Sequence, residues 1–472
     1  MLKKGDFATE KVYDVIIIGT GPAGIFAAVE LLRKKPDLRI VMLDKGPEIK
    51  DRICPARSNG GICRHCTPCA TVCGWGGAGA FSDGKLTLSP EVGGSLGEYI
   101  GEKYLRELVA YVDGTYQEFG APPAVYGAGG EEDYEEVMRR AVFAGLKVVP
   151  VPIRHLGTGR CAEVLVRMED FLAPRVEIRM HCPAGSILSS KGRVYGVKTA
   201  DGAVLTGRYV IAAPGREGAG WLRHEAKRLR LKMAVNPVDI GVRVEVPAAV
   251  LAPLTRLFYE VKCIYYSRTF EDRVRTFCMN PGGEVVTENS DGVVTVNGHT
   301  HAYRKTENTN FAVLVSKTFT EPFKEPIAYG RYIASLANLL GNGIIVQRLG
   351  DLLAGRRSNP ERLAKGLVKP TLTEATPGDL SLVFPYRHLV GIVEMLQAFD
   401  KVAPGVFSRD TLLYGAEVKF YSSRLELSPC LETRVKNLFA AGDGAGVTRG
   451  LVQASASGVV VAREISKRLG GE

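Results

Sequence analysis

Gly19, Gly21 and Gly24 stand at the spacing G-x-G-x-x-G directly behind a short apolar run, Val15 to Ile18, and a second apolar run ends in Asp44. A strand that turns into a helix through such glycines presents bare backbone N–H groups to a pyrophosphate. Gly19 allows the tight turn, Gly21 keeps side-chain atoms away from the phosphates, and Gly24 lets helix and strand lie close. Pro22 suits the first helical turn, where its missing N–H costs nothing. Ile25, Ala28, Val29 and Leu32 then give one apolar face at helical spacing. Asp44 ends the second strand, where a carboxylate meets a ribose hydroxyl. The segment therefore predicts a dinucleotide-binding βαβ unit.

A second group able to do chemistry is the run Cys63-Arg-His-Cys66-Thr-Pro-Cys69-Ala-Thr-Val-Cys73, with Cys54 nine residues upstream. Its C-x2-C-x2-C-x3-C spacing matches the cluster-binding run of bacterial ferredoxins. Cys54, Cys63, Cys66 and Cys69 are the expected ligands of one 4Fe-4S cluster, with Cys73 as the substitute. Zinc on the same four thiolates and free or redox-active thiols stay open as alternatives. The scattered Cys161, Cys182, Cys263 and Cys430 read as small core residues. Cys278, beside Arg275, is a candidate for chemistry.

These pieces need elements to position them, and the elements are spread along the chain. A strand from Leu438 to Ala441 runs into Gly442-Asp443-Gly444 and a small-residue helix, and Tyr209-Val-Ile-Ala-Ala-Pro-Gly215 is another strand that ends on a glycine. Further marked strings are Gly74-Trp-Gly-Gly-Ala-Gly-Ala-Phe-Ser-Asp-Gly-Lys85, Arg275-Thr-Phe-Cys-Met-Asn-Pro-Gly-Gly, Val296-Asn-Gly-His and Leu412-Leu-Tyr-Gly-Ala-Glu-Val-Lys-Phe-Tyr-Ser. Over nearly its full length the chain resembles the poorly characterised family of FAD-dependent dehydrogenases, or NAD(P)/FAD-dependent oxidoreductases, of the glutathione-reductase-like Rossmann flavoproteins. The resemblance implies that Asp443 holds the ribityl chain of FAD and that Gly215 follows a β-meander. It implies an α/β fold: a Rossmann-type FAD-binding domain in three layers, parallel sheet plus β-meander, with an inserted α+β cap or substrate domain.

The expected division is FAD-binding parts at 1–95, 151–234 and 401–472, a mainly helical insertion at 96–150 and a cap at 235–400. Within the cap, strands are expected from Val238 and from Glu284, and a helix from Ile327 to Leu340. Cofactor contacts are expected at Gly19, Gly21, Pro22, Ala23, Gly24, Asp44, Lys45, Gly76, Gly77, Ser82, Gly215, Gly442, Asp443 and Gly444. A second complete glycine fingerprint is absent, so a nicotinamide donor, NAD(P)H, would bind only transiently or through the cap.

Flavin chemistry belongs to the cofactor, which leaves few residues to read as catalytic. Lys85, Cys278 and Glu417 are the candidates. Glu417 and Lys419 alternate on a strand and share a face, as an acid–base pair or as a structural salt bridge. His299 and His301 would also share a face, and with Asn297 they suggest a polar substrate wall. His388 reads as a satisfied structural histidine.

The composition, 45% hydrophobic and 24% charged over 472 residues, is that of a globular protein of two or three domains. No apolar run reaches the length of a membrane span, and a cytoplasmic protein is expected. The excess of 61 basic over 51 acidic residues, +10, keeps tRNA open as a partner. The expected activity is that of a FAD-dependent oxidoreductase acting on a small organic substrate, with an iron–sulfur centre and a redox partner protein. The alternatives are a tRNA-modifying flavoprotein and a non-catalytic electron-transfer partner.

Overall fold

A computed structural model describes residues 12–55, 66–82, 84–127, 132–149, 151–234, 237–290, 292–301, 304–317, 319, 325–419 and 424–471. They fall into two compact units, residues 1–122, 159–234 and 422–472 in the first, and 123–158 and 235–421 in the second. The segment 96–150, expected as one helical insertion, is divided between them. The helix Glu102–Glu118 lies in the first unit, whereas the helix Glu132–Phe143 and the strand Lys147–Val149 lie in the second.

The first unit is built on a mixed sheet in the order Val176–Arg179, Ile40–Leu43, Val12–Ile18, Val204–Ala212, Arg193–Thr199, Ala184–Ser190. The strand Leu438–Ala440 also pairs with Val204–Ala212. The first four of these strands are parallel, with Val15 opposite both Ile40 and Tyr209. Val15, Ile16 and Ile17 are fully buried, as a parallel sheet covered on both faces requires. The last three form an antiparallel meander. Val204–Ala212 serves both halves: its start pairs within the meander and its remainder extends the parallel sheet. This mixed α/β architecture with its parallel sheet and meander is the one expected.

Two helices of the first unit cross without side chains between them. Helix Leu451–Gly470 packs on helix Pro22–Lys34 at Gly458, where an added Cβ would overlap the carbonyl oxygen of Ala23. The contact joins residues more than four hundred positions apart.

The second unit centres on an eight-stranded sheet in the order Thr376–Pro377, Ile345–Arg348, Leu412–Lys419, Val238–Pro247, Asn308–Lys317, Arg273–Asn280, Lys262–Tyr266, Lys147–Val149. Strand residues alternate between faces. Val238, Ile240, Val242, Val244 and Val246 share an apolar core with the helices Ala248–Phe258 and Tyr386–Asp400. Asp239, Arg243 and Glu245 point the other way and are buried as well. A hairpin, Glu284–Ser290 with Val293–His299, and the helix Pro326–Gly341 complete the unit, the helix matching the expected span to one residue at each end.

Among the described residues no helix is long and apolar enough to cross a membrane.

His388 corrects its reading as a satisfied histidine. It is buried, yet neither ring nitrogen has a hydrogen-bond partner among the described residues. Burial pushes its pKa down to about 4, with Lys317 and Arg387 adding to the shift and Asp272 opposing it. The ring therefore stays neutral in the folded chain while the unfolded chain takes up a proton below about pH 6.5. Stability present above that pH is lost as the pH falls towards 4, by on the order of 3 kcal/mol. Urea unfolding of the wild type and His388→Leu between pH 7 and 4 should show the steeper acid loss only in the wild type.

Candidate functional site

In the first unit the fingerprint turn, the glycine loop after the cysteines, Gly215 and the Gly442–Gly444 turn come together. Gly19 has φ +102°, and a Cβ there would overlap the carbonyl oxygen of Ala213. The turn and the end of the neighbouring strand therefore touch through backbone alone. Gly76 N–H donates to the carbonyl of Thr20 at 2.9 Å, and an added Cβ on Gly77 would lie 3.1 Å from Cα of Gly21. From the C-terminal side, a Cβ on Gly442 would stand 3.1 Å from that of Ala23, and one on Gly444 2.5 Å from the oxygen of Gly215.

The helix behind the fingerprint starts at Pro22 with Gly21 as N-cap, and no side chain caps it. Helix Leu451–Gly470 likewise starts behind Gly450 without a side-chain cap. Each leaves its first-turn N–H groups and positive dipole end to an anion or another acceptor. Asp443 accepts from Thr448 Oγ1 at 2.8 Å and from Gly450 N–H at 3.4 Å, with Arg216 4.0 Å away. Burial raises its pKa against the pull of Arg216. With 20% of its side chain still exposed, the carboxylate can accept from a ligand hydroxyl. The residues present fit a dinucleotide such as FAD: two uncapped helix starts, a bare glycine-lined turn and one reachable acid.

Asp44 departs from expectation. Its Oδ2 accepts from Thr20 N–H at 3.0 Å and Thr20 Oγ1 at 2.9 Å, and its Oδ1 from Gly46 N–H at 2.8 Å and Gly74 N–H at 2.9 Å. A carboxylate offers roughly four acceptor positions, and four donors fill them. Asp44 is a clasp that ties the fingerprint turn to the glycine loop. Lys45, next to it, pairs with Glu217 at 3.4 Å.

Arg52, which sequence reasoning passed over, holds the same loop from behind. Its guanidinium donates to the carbonyls of Ala70, Trp75 and Gly77 and sits 4.9 Å from the ring centroid of Phe81. Burial pushes its pKa down to about 10. Ser82 caps the loop's end: its hydroxyl donates to Gly79 O at 2.8 Å and accepts from Gly84 N–H at 3.2 Å. Lys85 opens the short strand Lys85–Thr87.

Of the four expected metal ligands, Cys63 lies outside the described residues. Cys54 and Cys69 are half-buried and Cys66 is exposed. Among the described residues no three His, Cys, Asp or Glu side chains are grouped as a metal site. Cys73 is buried and its thiol is pushed up to about 12 by burial, which makes it inert at neutral pH.

The second unit holds Cys278 and Glu417. Both side chains of the pair Glu417 and Arg243 are fully buried, and they meet in a bidentate bond: Nε to Oε2 at 2.8 Å and Nη2 to Oε1 at 2.9 Å. Lys419 Nζ adds a contact of 3.0 Å. Glu417 is thus a paired structural anion and not a free acid or base. Arg243 also donates to Cys278 O, Asn310 Oδ1 and Asn297 Oδ1, so all five of its N–H groups are used. Cys278 itself has φ +48°, and its N–H donates to Glu260 at 3.1 Å. Asn297 belongs to the Arg243 network, and His301 pairs with Glu284 at 2.7 Å, its ring 5.3 Å from that of His299. The signal missed in the sequence is the strand Val238-Asp-Ile-Gly-Val-Arg-Val-Glu-Val, where every second residue is polar or glycine although the strand is buried on both faces.

Residues 237–420 match the family described as FAD-dependent protein, C-terminal domain-like. The match falls wholly in the second unit, whereas the glycine fingerprint lies in the first. An uncharacterised protein of Clostridium beijerinckii is 26% identical over 479 residues, covering 96% of this chain and 80% of its own. Among solved structures, E. coli quinol fumarate reductase is similar at 14% identity and TM-score 0.43, over 98% of this chain and 71% of that one. L-proline dehydrogenase from P. horikoshii is similar at 11% identity and TM-score 0.43, over 97% and 94%.

Replacing Asp44 by Asn puts an amide donor among four donors. FAD-stripped Asp44→Asn protein should lose roughly 2–4 kcal/mol in urea unfolding. Unchanged stability of the stripped protein would return Asp44 to a purely ligand-binding role.

Proposed function

We propose that this chain is a FAD-dependent oxidoreductase of a small organic substrate, with the dinucleotide held on the glycine cradle of the first unit. One observation carries the reading. Gly21 has φ −78° and ψ −176°, ordinary extended backbone, and nothing stands closer than 3.8 Å to the place of its missing Cβ. Neither conformation nor packing asks for glycine there. A phosphate pressed against the backbone does. The family match on residues 237–420 supports the same cofactor from a different part of the chain.

When bound, FAD supplies the two-electron redox chemistry. The chain's part is to bind and orient. First-turn N–H groups of helix Pro22–Lys34 receive the pyrophosphate, Asp443 accepts from a hydroxyl of the ribityl chain, and the start of helix Leu451–Gly470 offers its positive end. Asp44 and Arg52 keep the Gly74–Gly77 loop against that turn.

Gly21→Ala tests this reading without the ambiguity of a misfolded variant. The FAD-stripped variant should unfold within about 0.5 kcal/mol of the wild type, while bound FAD, released by denaturation and quantified, should fall at least tenfold. Wild-type protein that neither retains FAD nor takes it up when added would overturn the reading. Iron, sulfide and zinc analysis on the same sample decides the cysteine run: stoichiometric iron with sulfide assigns it a cluster, zinc alone a structural site, and neither leaves thiols.

A further inference from the structure

The last strand of the first unit's sheet, Ala184–Ser190, pairs with Arg193–Thr199 on one side and, among the described residues, with no strand on the other. An open edge presents unused N–H and C=O groups, and such edges are ordinarily guarded by charged side chains or proline. Ala184-Gly-Ser-Ile-Leu-Ser-Ser190 carries neither. Its middle residue, Ile187, is buried nonetheless. The guard has to come from another element.

It comes from the helix Ala219–Arg228. Trp221, Glu225 and Arg228 stand at i, i+4 and i+7 on one face of that helix, and each takes a backbone group of the edge strand. Trp221 Nε1 donates to Gly185 O at 2.9 Å. Glu225 Oε2 accepts from Ile187 N–H at 2.7 Å, and Arg228 Nη2 donates to Ile187 O. Carboxylate and guanidinium also bind each other, at 2.6 and 3.0 Å. Together they offer Ile187 one acceptor and one donor, as the facing residue of a neighbouring strand would. The Glu225 side chain is 2% exposed and that of Arg228 42%, so the carboxylate is sealed while the guanidinium still reaches water. A buried carboxylate is costly unless its hydrogen bonds are made, and here the sheet edge makes them.

We propose that the outer edge of this sheet is a self-association surface that the helix Ala219–Arg228 holds shut, and that its partner when opened is the same edge of a second copy of the chain. Ile187 points both of its backbone groups outward. Two copies of one strand related by a two-fold axis beside such a residue run antiparallel and exchange both hydrogen bonds, so the edge is complementary to itself. No charge on Ala184–Ser190 opposes the approach. Glu225 and Arg228 occupy the two positions that the second Ile187 would need. None of these residues belongs to the glycine cradle, so the surface and the flavin reading stand or fall separately.

The closure is tested by sedimentation equilibrium of the protein as purified, from about 1 to about 100 µM, the range in which a dimer of micromolar affinity forms, together with hydrogen exchange of the peptide covering Ala184–Ser190. Wild type should keep one mass, with slow exchange that does not depend on concentration. Glu225→Leu removes the acceptor and should raise the weight-average mass towards twice that of wild type, with exchange over Ala184–Ser190 fast at the low end and at least tenfold slower at the high end. Arg228→Met, which keeps the carboxylate, should do the same more weakly, and it guards against misfolding of the first variant. Glu225→Gln retains an acceptor and should keep the wild-type mass. Glu225→Leu and Arg228→Met that are folded by circular dichroism and both keep the wild-type mass would overturn the proposal. So would association of Glu225→Gln equal to that of Glu225→Leu, association that leaves Ala184–Ser190 unprotected, or wild type already paired through this edge.

Discussion

The first unit depends on backbone meeting backbone where side chains would ordinarily intervene. At Gly458 the C-terminal helix lies directly on the carbonyl of Ala23, and at Gly19 the fingerprint turn lies on the carbonyl of Ala213. These two approaches bring the turn that follows Leu438–Ala440 beside the turn that follows Val12–Ile18. A methyl group at either place would overlap backbone and force the elements apart. The cradle is therefore a consequence of helix and strand packing, with the loops following.

Asp44 and Arg52 work on that cradle from two sides, and both illustrate how a charged residue becomes structural. A carboxylate held by three amides and a hydroxyl is a rigid joint, and a guanidinium that points at three carbonyls is another. Both brace the Gly74–Gly77 loop, which has left-handed backbone at Gly74, Gly76 and Gly77 and few side chains to stabilise it. Preorganised backbone donors cost less on binding than donors that must be ordered by the ligand.

The second unit solves a different problem. Its sheet is apolar on one face and charged on the other, and both faces are buried along Val238–Pro247. Burying charge requires partners, and Arg243 supplies the central one by pairing with Glu417 and three oxygen acceptors at once. The network thereby fixes the strand crossing at the Cys278 bulge, where the register between Arg273–Asn280 and Asn308–Lys317 shifts.

The local periodicities were legible in the sequence: the buried strand at Val15–Ile18, the glycine spacing, the strand into Gly442-Asp443-Gly444 and the helix near Ile327–Leu340 all stand where residue patterns put them. They were legible because each is a short-range consequence of side-chain size and φ preference. What else Asp44 does was not, since a carboxylate behind a strand can face a ribose or the chain's own amides, and only the fold brings Gly74 within reach. Nor could alternation along 238–247 reveal that Asp239, Arg243 and Glu245 are buried, because the same pattern describes a strand with one face in water. By itself the chain determined which segments turn and pair; the tertiary structure decided which charges lost their water, because the partners that a buried charge needs are contributed by distant strands.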